Sequence, residues 1–198
     1  WRYMHVTSWD ILRVFIRHAR RYTGRTLIVL VAAAVATVFD AIVPWYSRQF
    51  IDTLVSHTPS VATSTEAFRM LVIILLLHVG HWMAWRTNGF VTTDFQPRVM
   101  ADLERSSFAY LLGHSYRFFS DSFSGSLVRK IHRISRAFEV LIDEVQFRFI
   151  PVTILLIGAT IGLAMRYPLL ALVFVAWVAI FITLNYFASM WKLQIDVQ

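Results

Sequence analysis

Long apolar segments dominate the hydrophobic pattern of this chain. There are four of them, and they contain only two charges, Asp40 in the first segment and Arg69 near the start of the second. The segments span about 26–47, 67–85, 149–165 and 167–191. Because roughly 20 helical residues cross the apolar core of a bilayer, the pattern predicts four transmembrane helices.

Composition supports a membrane protein. Hydrophobic residues make up 57% of the 198 residues and charged residues 16%, whereas a soluble domain carries about 25% charge. The aromatic share of 15% excludes a disordered chain, which is polar and poor in aromatic residues. Because the chain has no cysteine, a disulfide framework and a thiol nucleophile are excluded as well.

Basic residues are unevenly distributed between the apolar segments. Residues 1–25 hold six arginines and residues 86–148 hold eight arginines and Lys130, whereas residues 57–66 hold no lysine or arginine. Basic stretches of this kind stay on the cytoplasmic side of a membrane. We therefore expect a multi-pass integral membrane protein with a cytoplasmic N-terminus, and we take a bacterial inner membrane as its location. Sidedness then explains the net charge of +7, and no nucleic-acid partner is expected.

The stretch before the first apolar segment is basic and amphipathic. Trp9, Phe15 and Ile16 alternate there with Arg13 and Arg17. A helix with this pattern lies in the membrane interface, with its apolar face toward the acyl chains. We therefore expect an interfacial helix within residues 1–24.

The stretch 86–148 has the pattern of two further helices. Apolar residues recur at steps of three and four in 103–116 and again in 127–145, and the segment 118–125 interrupts them. The pattern predicts a helical hairpin whose arms continue the second and third spans. About 30 residues per arm corresponds to roughly 45 Å at 1.5 Å per residue. A stalk that only packs against other helices is the alternative interpretation.

Several short motifs in this arrangement resemble one family. Pro44 is followed by Phe-Ile-Asp-Thr-Leu at 50–54, Asp-Leu stands at 102–103, Phe-Phe at 118–119, and Gly-Ser-Leu-Val-Arg-Lys-Ile at 125–131. In order and spacing they are similar to motifs of the transmembrane domain of ATP-binding cassette (ABC) exporters. The sequence departs from that family's usual residues at Glu104, Lys130 and Ile134.

The resemblance implies a particular fold. It is an all-α membrane protein with an interfacial elbow helix at 1–24 and four transmembrane helices, in which spans 2 and 3 extend into a long cytoplasmic helical hairpin at 86–148. The family has six spans, so residues 25–198 would be the N-terminal part of an exporter transmembrane domain, and we expect the chain to be a piece of a longer protein.

The resemblance also implies partners and a coupling site. A nucleotide-binding domain, on the same chain or on a separate subunit, would carry ATP and Mg²⁺, and a second transmembrane domain would complete a homodimer or heterodimer. The tip of the hairpin would rest on the nucleotide-binding domain. The candidate contact residues there are Phe118, Phe119, Asp121, Phe123 and Gly125.

No catalytic or nucleotide site is evident in the sequence itself. A P-loop requires a lysine directly after glycine, and neither Lys130 nor Lys192 follows one. No Gly-x-Ser-x-Gly nucleophile elbow occurs. We therefore expect no cofactor in this segment, and whether the chain belongs to an enzyme depends on ATP hydrolysis elsewhere in the complete transporter.

Three polar residues in the predicted spans are candidates for a substrate cavity. A carboxylate such as Asp40 costs roughly 2.5–3.5 kcal/mol at the bilayer centre on insertion scales, so it is expected to face a bundle interior or a wet cavity. His78 and His81 are three residues apart and share a helix face. A structural hydrogen bond is the alternative role for Asp40, and a metal site at the histidines is disfavoured because no further ligands stand nearby.

Two function classes remain. The first is an ATP-driven exporter segment that moves a hydrophobic or amphipathic substrate by alternating access. The second is a four-span membrane scaffold or sensor whose cytoplasmic stalk binds a partner. Further spans and a P-loop in the gene product would distinguish the exporter from the scaffold.

Overall fold

The computed structural model describes residues 8–56, 60–113 and 124–195, and these residues form helices without strands. The elements are α1 (Ser8–Ala19), a 3-10 turn (Arg20–Tyr22), α2 (Thr23–Ser56), α3 (Val61–Leu112), α4 (Ser124–Glu144), a wider π-helical turn (Val145–Phe149), α5 (Ile150–Arg166) and α6 (Pro168–Ile195). Four stretches of helix are long and apolar enough to cross a membrane. The all-α, membrane-type fold predicted from the sequence is confirmed at this level.

Helix α2 is longer than the predicted span 26–47. It continues to Ser56, so Pro44 lies inside the helix. Proline has no N–H and interrupts the hydrogen-bond ladder, but transmembrane helices tolerate it where neighbouring groups satisfy the freed carbonyl. The predicted span covers the apolar part of α2, and the helix continues beyond it with polar residues such as Arg48 and Asp52.

Helix α3 is a single helix of 52 residues. The side chain of Ser60 caps its first turn by accepting a hydrogen bond from the Thr63 N–H at 3.1 Å. At 1.5 Å per residue the helix is about 78 Å long, more than twice the apolar thickness of a bilayer. The predicted span 67–85 therefore continues without a break through residues 86–112.

The chain forms two compact units, residues 1–152 and residues 153–198. The first unit holds α1 to α4 with the π-helical turn, and the second holds most of α5 together with α6. Within the second unit, Trp177 stacks between Phe174 and Phe181 along α6. The small residues Gly158 and Gly162 have open space around them there, because a Cβ at either would meet no atom within 4 Å.

Helices α2 and α3 pack against each other in antiparallel fashion through small side chains. Ala33 and Ala36 on α2 are fully buried. On α3, Gly80 allows close approach, since a Cβ there would lie 2.9 Å from the Phe39 ring. Small residues of this kind let helix backbones approach closely in a membrane, where packing is the main attraction between helices.

The hydrophobic core of the first unit lies where α1, α3 and α4 meet. It is built from Phe15 of α1, Phe95, Val99 and Leu103 of α3, and Phe138 of α4. The Phe15 and Phe138 rings meet edge to face at 5.7 Å, and Phe95 and Phe138 at 6.2 Å. One face of α1 is thus packed on α3 and α4, which leaves Trp9 and Ile16 on its exposed side.

Candidate functional site

Two of the three predicted cavity residues meet between α2 and α3. The His81 Nδ1 lies 3.2 Å from the Asp40 carboxylate and 3.1 Å from the Ala36 carbonyl oxygen. Both partners are acceptors, so the ring carries a proton on Nδ1 and donates it to them. Within the described residues, both of these polar contacts of the ring are made by Nδ1.

The third predicted residue does not join this pair. The Nδ1 of His78 donates to the Ile74 carbonyl of its own helix at 2.9 Å, and the side chain is exposed. The two histidines are therefore in different environments: His81 contacts α2, whereas His78 bonds its own helix and is exposed. Because no group of three or more possible metal ligands occurs in the described residues, the geometry offers no ligand set around the two histidines.

Pro44 adds an acceptor to the Asp40 site. Proline cannot donate the usual hydrogen bond to the carbonyl four residues earlier, and that carbonyl belongs to Asp40. Asp40 therefore has a carboxylate that meets His81 and a backbone carbonyl to which the Pro44 nitrogen cannot donate. Such a site attracts a hydrogen-bond donor or a positive charge.

The Asp40 side chain forms the more exposed side of the site. Its side chain is 58% exposed, against 26% for His81, although it lies in the most apolar part of α2. A carboxylate facing lipid is costly. Asp40 therefore needs a cover of water, of other helices or of a bound molecule on its open side.

A second polar cluster joins α3 to the end of α4. The Asp143 carboxylate accepts hydrogen bonds from the Gln96 amide at 2.7 Å and the Gln146 amide at 3.1 Å. The Thr92 hydroxyl donates to the Gln146 side-chain oxygen at 3.3 Å. Gln146 is completely buried, so these partners satisfy an amide that would otherwise be costly in the core.

The backbone at Gln146 is not a regular α-helix. The Ile150 N–H donates to the carbonyl of Val145, five residues back, and the wide turn covers Val145–Phe149. Turns of this kind often mark functional sites inside helices. The turn also directs Phe147 onto Trp85, whose rings stack at 5.4 Å with an angle of 9°. The stacking contact links the end of the second apolar segment to the wide turn.

A third cluster lies further along α3. The Glu104 carboxylate accepts hydrogen bonds from Ser135 at 2.8 Å and from His132 at 3.0 Å. These two bonds, with the Ser135 bond the larger contribution, hold the pKa of Glu104 below its usual value. Ser135 is buried whereas its neighbour Ile134, part of the predicted apolar stripe, is 40% exposed. The α4 face toward α3 is thus rotated by one residue at this position, which brings a hydroxyl to the carboxylate.

This cluster predicts a pH-dependent contribution to stability. A folded-state pKa below the unfolded value stabilises the fold above the unfolded pKa, and the contribution disappears as the pH falls through the folded pKa. Glu104→Gln is therefore expected to lower the thermal midpoint at pH 7 by a small amount. The difference from the wild type is expected to start shrinking as the pH falls below the ordinary glutamate pKa of about 4.3, and to vanish only once the pH is below the lowered pKa of folded Glu104. Thermal unfolding of both proteins across this pH range is the measurement, and a constant difference at every pH would contradict the assignment.

Charged residues fasten the start of α2 to α3. Asp102 accepts a hydrogen bond from the Tyr22 hydroxyl at 3.0 Å and lies 3.5 Å from Arg21. Asp94 pairs with Arg25 at 3.0 Å. The Asp-Leu motif at 102–103 therefore contributes a charge to this junction through Asp102 and a core side chain through Leu103.

The predicted coupling residues fall almost entirely outside the described residues. Phe118, Phe119, Asp121 and Phe123 lie in 114–123, which the structure does not describe, and Gly125 lies in the first turn of α4. Contacts on either side of this segment give the direction of the two helices. Thr92 contacts Gln146 and Glu104 contacts His132, so α3 and α4 run antiparallel toward the segment.

Sequence reasoning missed the buried polar residues Asn88 and Gln146. The Asn88 amide donates to the Val29 carbonyl across the α2–α3 interface at 2.8 Å and is 1% exposed. The available signal was an amide side chain within a stretch predicted to be helical. Its partner could not be read from the sequence because it lies on another helix.

Neither a protein-family model nor a curated protein matches this sequence. The case for a function therefore depends on the motifs of the sequence and on the geometry described above.

Proposed function

We propose that this chain is the N-terminal part of the transmembrane domain of an ATP-driven exporter of the ABC type. In this proposal α2, α3, α5 and α6 are four of its spans and α1 is the elbow helix. The arms formed by α3 and α4 project into the cytoplasm toward a nucleotide-binding domain. ATP and Mg²⁺ belong to that domain, and a second transmembrane domain forms the other half of the transporter.

The observation that carries the proposal is the length of α3. A helix of 52 residues is about 78 Å long, and the bilayer accounts for about 30 Å of it. The remaining length pairs with α4 through Asp143, Glu104 and the phenylalanine core. A rigid, packed pair of arms can transmit a displacement at its tip to the spans, whereas a flexible loop would absorb it.

Two groups of contacts between the arms suit this transmission of a displacement from the tip to the spans. The core around Phe95 holds the arms together, and the Gln146 cluster joins α3 to the wide turn between α4 and α5. Closing of the nucleotide-binding domains on ATP would move the tip, and the arms would tilt as one body. The cavity between the spans would then open to the opposite side of the membrane, which is alternating access.

The Asp40 site favours a class of substrate. Its carboxylate and the His81 ring attract a donor or a cation, while the surrounding helix face is apolar. A hydrophobic or amphipathic molecule with a hydrogen-bond donor or a positive charge satisfies both properties. This gives Asp40 and His81 the role of cavity residues, and the geometry favours His81 over His78.

The test uses the full gene product that contains these residues, purified with any subunit that accompanies it and reconstituted in liposomes. We expect ATP hydrolysis and ATP-dependent accumulation of a lipophilic fluorescent cation. Phe119→Ala combined with Phe123→Ala is expected to abolish accumulation and to uncouple or reduce ATP hydrolysis, because it would remove two aromatic side chains proposed to contact the nucleotide-binding domain.

The control is Val140→Ala, which trims an exposed side chain on α4 and is expected to leave both activities unchanged. Unchanged substrate-stimulated ATP hydrolysis and transport in the double variant would contradict the coupling assignment. A gene product that neither contains nor recruits an ATPase would contradict the exporter itself and favour the four-span scaffold.

A further inference from the structure

A groove between α1 and α2 has the character of a lipid site. It has a volume of about 310 Å³ and is formed by Ile16, Ala19 and Arg20 on one side. The other wall is Thr23, Thr26, Leu27 and Leu30 of α2. The groove therefore begins at the interfacial helix and continues onto the first apolar segment, which starts at about residue 26.

The two threonine hydroxyls at the groove already donate hydrogen bonds to the backbone. The Thr23 hydroxyl donates to the Arg20 carbonyl at 2.6 Å, and the Thr26 hydroxyl donates to the Tyr22 carbonyl at 3.2 Å. Because both hydroxyls are occupied by backbone carbonyls, the threonines present methyl groups to the groove. The groove surface is almost entirely apolar, so Arg20 lines it with its aliphatic stem, and its exposed side chain places a positive charge next to the groove.

Arg20 differs from two nearby arginines, Arg21 in the same 3-10 turn and Arg25 in α2. Arg21 pairs with Asp102 and Arg25 pairs with Asp94. Within the described part of the chain, Arg20 forms no ion pair, and neither does Arg13, which is two turns earlier on the same helix face. Arg17 also forms no ion pair within the described residues, but it lines a separate groove against α3 and α4. Of these unpaired arginines, Arg20 is the one that lines the groove between α1 and α2.

The exposed side chains of α1 complete the pattern. Trp9 and Ile16 are 68% and 50% exposed, although α1 uses Phe15 to pack on the core. Apolar side chains flanked by unpaired arginines are typical of a helix that lies at the boundary between headgroups and acyl chains. The same boundary is where the charge of Arg20 would meet a phosphate.

We propose that the groove between α1 and α2 binds one anionic glycerophospholipid, with the phosphodiester at Arg20 and an acyl chain along Leu27 and Leu30. Charge complementarity favours a lipid with a net negative headgroup over a zwitterionic one. Bound there, the lipid bridges α1 to α2 and neutralises the arginine. The site depends on the membrane location of α2 but does not require that the protein transports anything.

The test is a lipid titration of the purified, delipidated full gene product in detergent, with bound lipid counted by native mass spectrometry. We expect one tight phosphatidylglycerol adduct and weaker binding of phosphatidylcholine. Arg20→Gln is expected to weaken phosphatidylglycerol binding about fivefold, the usual effect of one basic residue at an anionic surface. It is expected to leave phosphatidylcholine binding unchanged.

Two further variants separate the specific site from general charge. Leu27→Trp fills the groove and is expected to weaken the binding of both lipids. Arg133→Gln removes an exposed arginine from α4 and is expected to have no effect on either. Equal affinity for the two lipids, or equal loss in Arg133→Gln and Arg20→Gln, would overturn the proposal. Displacement of phosphatidylglycerol by an equal concentration of inorganic phosphate would also overturn it, because it would indicate a phosphate site without a role for the acyl chain.

Discussion

Replacing Phe95 with alanine is expected to lower the free energy of unfolding by about 3–5 kcal/mol, the usual range for a buried phenylalanine. The Phe95 side chain is completely buried and contacts both the Phe138 ring at 6.2 Å and the Tyr22 ring at 6.4 Å. Its loss leaves a cavity where three helices meet. Because Phe15 reaches the same core from α1, amide hydrogen exchange in α1 is expected to accelerate as well.

The measurement is an unfolding titration in detergent micelles, with hydrogen exchange on the same samples. Phe90→Ala is the matched control, since Phe90 lies on the same helix but is 65% exposed and contacts mainly the Arg86 guanidinium. It is expected to cost about 1 kcal/mol or less. Equal losses of stability in the two variants would show that the core does not hold α1, α3 and α4 together.

Replacing Gln146 with leucine is expected to lower the free energy of unfolding by about 1–3 kcal/mol. The variant removes the acceptor of the Thr92 hydroxyl and one of the two amide donors to Asp143. Leucine is similar in size, so the loss reports the hydrogen bonds more than a cavity. The wide turn at Val145–Phe149 is also expected to become less ordered, because its buried side chain no longer has partners on α3.

A double-mutant cycle with Thr92→Val isolates the bond across the helices. The double variant is expected to lose less than the sum of the single variants, with a coupling of about 0.5–3 kcal/mol, because the second change removes the stranded hydroxyl. Gln49→Leu is the control: this partly exposed glutamine forms no side-chain hydrogen bond within the described residues. Strict additivity of Thr92→Val and Gln146→Leu would contradict a direct interaction.

The candidate site was predicted from the sequence only in part. A single carboxylate in an apolar span drew attention to Asp40, and its pairing with His81 is now visible. The same reasoning grouped His78 with His81, although His78 bonds its own helix. Adjacent positions on a helix face differ by tens of degrees, so only the rotation and crossing of α2 and α3 determine which histidine reaches the carboxylate.

In the helical arms, too, the sequence predicted only some of the buried positions. The apolar stripe of 127–145 correctly included Ile131 and Phe138, which are buried. It also included Ile134, which is exposed, while Ser135 is buried against Glu104. Periodicity considers only the hydrophobicity and the spacing of residues along one helix. It does not show that Glu104 on the facing helix accepts a hydrogen bond from Ser135 and so allows that serine to be buried.

By itself the sequence determined the helical class, the four apolar helices and the helical nature of the stretch between the second and third. These are local properties, because the length of an apolar run and its three-and-four spacing depend only on nearby residues. The tertiary structure alone decided that Pro44 lies inside α2, that Asn88 and Gln146 are buried, and that α1 rests on Phe138. Each of these depends on the register between helices far apart in the chain, and that register is set by how their side chains pack.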